Sequence, residues 1–173
     1  MVALRRATVD DTATLVALYD EAVAWLAGRG RTDQWGATPF SELPDVVALI
    51  RSRTAGGRMW LAEKGARVLG AIVLEPEPPH YLTDLAGEPA IHLTGFITSR
   101  APDARTVGRL LLDHARTTAR ESGIGLLRLD CYAGGDAALI AYYEAAGFTR
   151  VDTFTVDLLG GPYHGCLLEQ RLR

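Results

Sequence analysis

The spacing of apolar positions along the chain predicts four helices. Thr8, with Asp11 three residues later, resembles a capping box at the start of the first helix, which then ends at Gly28. Apolar residues at intervals of three and four predict three further helices, at about 42–53, 105–121 and 136–146. Ser41 is the predicted cap of the second helix. The chain therefore carries helices of ordinary globular length in both halves.

Short apolar or alternating runs predict seven strands between these helices. They lie at residues 2–7, in a hairpin within 58–75 that turns at Lys64–Gly65, and at 90–99, 125–132, 148–158 and 164–172. The run 125–132 is apolar throughout, which is typical of a strand that is buried on both faces. Strand–helix–strand order requires a parallel crossover, whereas hairpins require antiparallel neighbours. The sequence thus predicts an α/β (α+β) fold with a mixed, mostly antiparallel central sheet, helices on both faces, and one domain over 1–173.

Composition excludes several classes of function. The 173 residues carry a net charge of -3, so no global charge attracts nucleic acid. No apolar run approaches the roughly 20 residues that cross a membrane, and the N-terminus lacks a signal core. Two cysteines are too few for a disulfide framework, which indicates a reducing cytoplasm. The four histidines lack ligand spacing, so we expect no metal.

The stretch 96–112, FITSRAPDARTVGRLLL, has the order strand, turn, helix. The start of a helix exposes unpaired N–H groups and a partial positive charge, and both attract phosphate. Arg100, Arg105 and Arg109 add positive charge nearby. An ordinary connection with solvated arginines explains the same residues, so the turn alone leaves both interpretations open.

The chain from Ile91 to Phe148 resembles the GNAT superfamily of acetyl-CoA-dependent N-acetyltransferases. The resemblance rests on a strand, the turn, the helix VGRLLLDHARTTARESG, the strand LLRLDCY, and a helix that ends in Tyr-x-x-x-Gly-Phe at Tyr143–Phe148. The N-terminal LRRATVDDTATLVALY is also typical of the superfamily. The family's turn, Arg/Gln-x-x-Gly-x-Gly/Ala, falls on Asp103, Thr106 and Gly108, of which only Gly108 fits.

The resemblance implies a GNAT fold whose parallel strand pair splays around acetyl-CoA. Gly95 inside the strand 90–99 indicates a bulge or a close backbone approach at this place. The residues that the resemblance assigns to the cofactor are Phe96, Ile97, Thr98, Arg100, Ala104, Arg105, Thr106, Val107, Gly108, Arg109, Asp136 and Tyr143.

The resemblance also assigns catalytic roles. Tyr143 matches the tyrosine that protonates the coenzyme sulfur, and His92 takes the position of a general base. The residues alone leave an alternative open for each: amphipathic packing at helical spacing for Tyr143, and a hydrogen-bonded core position for His92. Glu75 and Asp130 are the reserve bases. Cys131 as a nucleophile is the rival chemistry, although the neighbouring Asp130 would raise its pKa.

The acceptor pocket is expected in loops rich in aromatic and amide side chains. The residues assigned to it are Gln34, Trp35, Glu75, Tyr81 and Tyr163. We therefore expect transfer of an acetyl group from acetyl-CoA directly to a primary amine of a small molecule, by a chain that can form a homodimer. The alternatives are a non-catalytic acyl-CoA-binding or regulatory domain, and acetylation of a protein N-terminus or lysine.

Overall fold

The computed structural model describes residues 1–82, 85, 87–159 and 161–173. Its helices in these residues are α1 (Thr12–Ala27), α2 (Pro44–Ala55), α3 (Val107–Glu121) and α4 (Ala138–Ala145). Its strands are β1 (Ala3–Arg6), β2 (Met59–Lys64), β3 (Arg67–Glu75), β4 (Ile91–Thr98), β5 (Leu126–Tyr132), β6 (Thr149–Leu158) and β7 (Gly161–Arg171).

The strands form one seven-stranded sheet in the order β1-β2-β3-β4-β5-β7-β6. β4 and β5 run parallel, whereas β1–β2, β2–β3, β5–β7 and β6–β7 are antiparallel pairs. The predicted mixed, mostly antiparallel sheet is confirmed. The chain divides into two compact units, the first formed by 1–32, 36–73 and 95–113, the second by 33–35, 74–94 and 114–173. The assignment of one domain stays a prediction.

In the first unit, β3 comes very close to the start of α3. Gly70 has no side chain, and a Cβ there would lie 2.7 Å from Val107 Cγ1 and 2.8 Å from the Ile97 carbonyl oxygen. Only glycine therefore allows this spacing. The predicted capping box is present, because the Thr8 N–H donates to Asp11 Oδ2 at 2.8 Å. The close approach at Gly70 brings β3 against the end of β4 and the start of α3.

In the second unit, β5 lies between β4 and β7 and is almost wholly buried. The buried Arg128 donates to Glu169 Oε1 on β7 at 2.7 Å, so its charge is paired. The short helix α4 ends because Gly147 adopts φ +96°, which places the N–H of Phe148 on the Tyr143 carbonyl at 3.0 Å. The Tyr-x-x-x-Gly-Phe pattern, on which the family resemblance rests, therefore also has a structural role, because it ends α4.

Several predicted boundaries are wrong, among them the start of α4, which lies at Ala138 rather than 136. Ser41 does not cap α2, because its N–H donates to Asp20 Oδ1 at 3.1 Å inside a short 3-10 turn and α2 begins at Pro44. The third helix begins at Val107 rather than 105, after a second 3-10 turn. The last hairpin is tighter than predicted, because pairing continues to Leu158 and Gly161.

Candidate active site

The turn before α3 leaves backbone donors unpaired in the first unit. The N–H of Leu110 donates to the Thr106 carbonyl at 3.1 Å, and among the described residues the N–H groups of 106–109 meet no backbone acceptor. A helix start with four free N–H groups carries a partial positive charge. This is the donor set that a phosphate group requires, so the residues present fit the pyrophosphate of a coenzyme.

Asp103, which lies in this turn, has its negative charge directed elsewhere. Its carboxylate forms ion pairs with Lys64 at 3.5 Å and Arg67 at 3.6 Å, both at the β2–β3 turn. These two cations balance the carboxylate. The repulsion between Asp103, which departs from the family pattern, and a bound anion is therefore weaker than the sequence suggests.

The three arginines that the sequence assigned to the anion differ in their surroundings. Arg100 lies over the Trp25 ring at 4.2 Å, with Arg29 also against that ring at 4.0 Å. Burial and the nearby Arg29 charge lower the pKa of Arg100. Arg105 is exposed, and Arg109 is exposed beside Asp113 at 3.9 Å. Arg105 and Arg109 therefore retain the freedom to contact an anion at the helix start.

The end of β4 has the irregularity that Gly95 predicted. Gly95 adopts φ +55°, and its carbonyl oxygen accepts a hydrogen bond from the Tyr19 hydroxyl at 2.9 Å. Ile97 is buried, whereas Phe96 and Thr98 on either side of it are partly exposed. The positive φ turns the backbone at the point where the sequence placed the cofactor residues.

In the second unit, His92 and Asp130 border one narrow gap, too small to hold a water molecule, together with Arg128, Leu93, Pro79 and Leu167. His92 is only 4% exposed. Burial, and then the Arg128 charge, lower the pKa of His92 to about 4, while Glu169 opposes the shift. His92 is therefore neutral at pH 7 and can accept a proton, but weakly.

Side chains from separate predicted loops lie around Asp130. Tyr81 Oη donates to its two carboxylate oxygens at 3.2 Å and 3.4 Å, and the Tyr163 side chain of β7 lies nearby. Burial raises the pKa of Asp130 to about 6, although both tyrosines act in the opposite direction. A carboxyl group that titrates close to neutrality is suited to proton transfer.

Tyr143, the assigned acid, lies on α4 and is 6% exposed. Its ring packs edge to face on Tyr142 at 5.2 Å and on Phe148 at 6.0 Å. Burial raises the pKa of Tyr143, so its hydroxyl keeps its proton at neutral pH. Asp136 precedes α4, and its Oδ1 accepts the Ala138 N–H at 3.2 Å.

Cys131 is unsuited to nucleophilic chemistry. It is buried opposite Cys166 in the β5–β7 pair, and both thiols are free. Burial raises the pKa of Cys131 to about 12, with smaller contributions from Cys166 and Asp130. Since the thiolate is the reactive form, a small buried apolar residue is the better interpretation.

The acceptor residues assigned from sequence are only partly brought together. Tyr81 hydrogen bonds Asp130, and Tyr163 lies near it. Burial, and then the Asp33 charge, raise the pKa of Tyr132, whose ring centroid lies 6.0 Å from that of Tyr163. Gln34 and Trp35 lie half-buried in a turn, and Glu75 is half-buried at the end of β3. Sequence reasoning missed Phe154, whose ring lies 6.0 Å from Tyr81 and 6.3 Å from Tyr163.

Two general properties of the described residues bear on the site. None of their helices is long and apolar enough to cross a membrane. Nor do these residues include a group of three or more His, Cys, Asp and Glu side chains that could hold a metal ion.

Comparisons with known proteins identify the family. The model of the acetyltransferase (GNAT) family matches residues 20–148. No curated protein matches the chain. A ribosomal-protein-alanine N-acetyltransferase from Brucella melitensis is similar in structure, with 24% identity, TM-score 0.67, and coverage of 98% of this chain and 99% of that one.

Two further solved structures share the fold. The yncA protein of Salmonella typhimurium, solved with its cofactor acetyl-CoA, has 17% identity and TM-score 0.67 over 100% of this chain and 95% of that one. A polyamine N-acetyltransferase of Drosophila melanogaster, which catalyses formation of N-acetylagmatine, has 17% identity and TM-score 0.69 over 99% and 100%. The family match covers most of the chain, and the helix start before α3 fits a coenzyme phosphate. The chain belongs to the acetyltransferase (GNAT) family of enzymes, whose acetyl donor is acetyl-CoA.

Proposed function

We propose that this protein is an N-acetyltransferase that acts on a primary amine of a small molecule by direct transfer. The observation that carries the proposal is the set of unpaired N–H groups at residues 106–109, which fit the pyrophosphate of acetyl-CoA. Acetyl-CoA supplies an acetyl group activated as a thioester. A small-molecule acceptor is supported by the Drosophila relative, a polyamine N-acetyltransferase, and by the tyrosines around Asp130.

The residues divide the work as follows. The backbone N–H groups of 106–109, with Arg105 and Arg109, hold the pyrophosphate, whereas the N–H of Ala104 donates to the Ala101 carbonyl at 3.0 Å. Phe96, Ile97 and Thr98 of β4 bind the pantetheine arm. The protonated Tyr143 hydroxyl acts as general acid. The base that takes a proton from the amine is His92, with Asp130 and Glu75 as the alternatives.

Two properties of the whole molecule belong to the proposal. The free, buried thiols Cys131 and Cys166 support a reducing compartment, and we place the protein in the cytoplasm. Self-association as a homodimer is expected, and analytical ultracentrifugation tests it directly.

The test is calorimetry with acetyl-CoA followed by a thiol-release assay against a panel of amines. Gly108→Asp puts a side chain and a negative charge at the helix start and should abolish coenzyme binding, while the circular dichroism spectrum is retained. Ser122→Asp adds the same charge after the other end of α3 and serves as the matched control.

Three outcomes discriminate between the hypotheses. Undiminished affinity in Gly108→Asp contradicts the assigned coenzyme site. Coenzyme binding without thiol release on a broad panel indicates a non-catalytic acyl-CoA-binding domain. Thiol release with an N-terminal alanine peptide but with no small amine indicates a protein substrate, as for the Brucella melitensis enzyme.

A further inference from the structure

Arg53 is a half-buried cation in the last turn of α2. Among the described residues, no carboxylate pairs with it and no acceptor takes a hydrogen bond from it. The partial negative charge at the end of a helix favours a cation, but a solvated side chain would satisfy that preference. A guanidinium group has five N–H donors and stays charged. A half-buried arginine without a protein partner therefore has unused capacity to bind a ligand.

The guanidinium group of Arg53 lies against the irregular part of β4. A Cβ placed on Gly95 would lie 3.4 Å from Arg53 Nη1 and 3.3 Å from the Tyr19 hydroxyl oxygen. Because Gly95 has no side chain and adopts φ +55°, the cation reaches the backbone where the strand turns. Strand residues are spaced by about 3.3 Å, so residues 96–98, to which we assign the pantetheine arm, begin one residue away.

The groups beside Arg53 supply no counter-charge. The Tyr19 hydroxyl donates its proton to the Gly95 carbonyl oxygen at 2.9 Å. Burial raises the pKa of Tyr19 to about 12, although the Arg53 charge acts in the opposite direction, so this phenol is neutral at pH 7. The Phe40 ring stacks on that of Tyr19 at 5.6 Å between centroids, and Val73 is fully buried. These apolar surroundings strengthen the attraction between Arg53 and an anion.

Two further cations lie along α1 in the same unit. The guanidinium carbons of Arg29 and Arg100 lie 4.0 Å and 4.2 Å from the centre of the Trp25 ring, and neither arginine has a carboxylate partner among the described residues. Trp25 follows Tyr19 by six residues, which is about 9 Å along a helix. Their positive charges add to that of Arg53 and favour an anionic ligand at this place.

We propose that Arg53 binds a carboxylate group of the acceptor, so that the acceptor is a small amine of the amino-acid class. The inference rests on the proposed acetyl transfer and names its substrate class. The planar fork of a guanidinium group matches a carboxylate. An α-amino acid carries its ammonium and carboxylate groups on one carbon, so binding at Arg53 holds the nitrogen beside residues 96–98. A polyamine has no group for Arg53 to bind and would be repelled by its charge.

The test uses pairs of probes that differ only by the carboxylate: alanine and ethylamine, valine and isobutylamine, phenylalanine and phenethylamine. Each probe is titrated by NMR into the isotope-labelled full chain without any acetyl donor, so the readout does not depend on transfer. At least one amino acid should shift the amide signals of residues 95–98 and bind about 10-fold or more tightly than its matching amine. Absence of this preference in all pairs overturns the proposal.

Replacing Arg53 should remove the preference. Arg53→Gln should raise the dissociation constant of the amino acid about 10-fold or more and leave that of the matching amine unchanged. Arg53→Lys keeps the charge without the planar fork and should retain part of the preference. Arg51→Gln, which removes an exposed arginine of the same helix, is the matched control and should bind like wild type. An unchanged preference in Arg53→Gln, or an equal loss in Arg51→Gln, overturns the proposal.

The stability of the variants separates a binding role of Arg53 from a structural one. Because Arg53 has no partner in the folded protein, Arg53→Gln should unfold in urea at a midpoint close to that of wild type. A lower midpoint together with an unchanged preference for amino acids would make Arg53 a structural residue only. If Arg100→Gln removes the preference and Arg53→Gln does not, the carboxylate lies at the Trp25 ring and the assignment to Arg53 is wrong.

Failure of this inference can be distinguished from failure of the proposed function. If thiol release is as fast with the three amines as with the amino acids, and Arg53→Gln leaves kcat/KM unchanged, the acceptor is not recognised by a carboxylate and acetyl transfer stands. If an amino acid binds through Arg53 but no amine yields free thiol, the carboxylate site stands and the enzymatic assignment fails.

Discussion

Replacing Asp130 by asparagine should make the protein more stable near neutral pH, although it removes a group that we place in the active site. Burial raises the pKa of the folded carboxyl group to about 6, against an ordinary 3.8. The folded state thus retains a proton that the unfolded chain releases. Wild type consequently loses stability as the pH rises through this interval.

The size of the effect follows from the shift in pKa. A difference of about 2 units corresponds to roughly 3 kcal/mol as an upper bound, and partial exposure of the side chain reduces it to about 1–3 kcal/mol. Asparagine cannot ionise, and its amide oxygen can still accept from Tyr81. The free energy of unfolding of Asp130→Asn minus that of wild type should therefore increase by about 1–3 kcal/mol between about pH 3.5 and pH 7.

Urea unfolding followed by circular dichroism at several pH values measures this difference directly. For a chain of this length, each kcal/mol should also raise Tm by about 2–4 °C. Asp157→Asn, which removes an exposed carboxylate, is the matched control and isolates the effect of burial. If the difference in free energy of unfolding between Asp130→Asn and wild type stays constant with pH, or falls toward pH 7, then ionisation of Asp130 does not destabilise the folded state and the argument is refuted.

Three other substitutions test separate parts of the structure. Tyr143→Phe should lower kcat about 10²-fold or more with little change in coenzyme affinity, and steady-state kinetics with full kcat would make Tyr143 a packing residue only. Wild type should lose stability as pH falls from about 6.5 to about 4, because the folded pKa of His92 is depressed, and His92→Gln should lack this loss. The same pH dependence of the free energy of unfolding in both proteins would contradict that assignment. Gly70→Ala should cost about 1–3 kcal/mol in urea unfolding, because the new Cβ meets the Ile97 carbonyl and Val107, and an unchanged midpoint would show that the backbone relaxes freely.

Local patterns were sufficient to predict most of the fold. The β2–β3 hairpin, the positive φ at Gly95 and the end of α4 at Gly147 each depend on residues close in sequence. The errors arose where a distant group decided the outcome. Asp20 of α1 binds the N–H of Ser41, and no pattern near Ser41 indicates that contact.

The same distinction applies to the candidate site. The free N–H groups before α3 follow from the order strand, turn, helix, so the sequence was sufficient to locate the turn. It assigned the N–H of Ala104 to the cofactor as well, but a 3-10 turn pairs that group with the Ala101 carbonyl. The cluster at Asp130 could not be located in this way, because it depends on the register of β7 against both β5 and β6. Phe154 in particular alternates with exposed residues on β6 and gave no signal that its ring faces two tyrosines.

Asp130 and His92 border one narrow gap, and burial shifts the pKa of both toward the neutral form. Their effects on stability have opposite signs in overlapping pH ranges, because the carboxyl group costs stability as pH rises and the imidazole costs stability as pH falls. Wild type should therefore show a shallow pH profile that conceals both. In Asp130→Asn the free energy of unfolding should vary with pH through His92 alone, and in His92→Gln through Asp130 alone. Together the two pH profiles measure how strongly burial disfavours charge at this place. Transfer of a proton from an ammonium group to the Asp130 carboxylate would neutralise both charges, and that is the direction that burial favours.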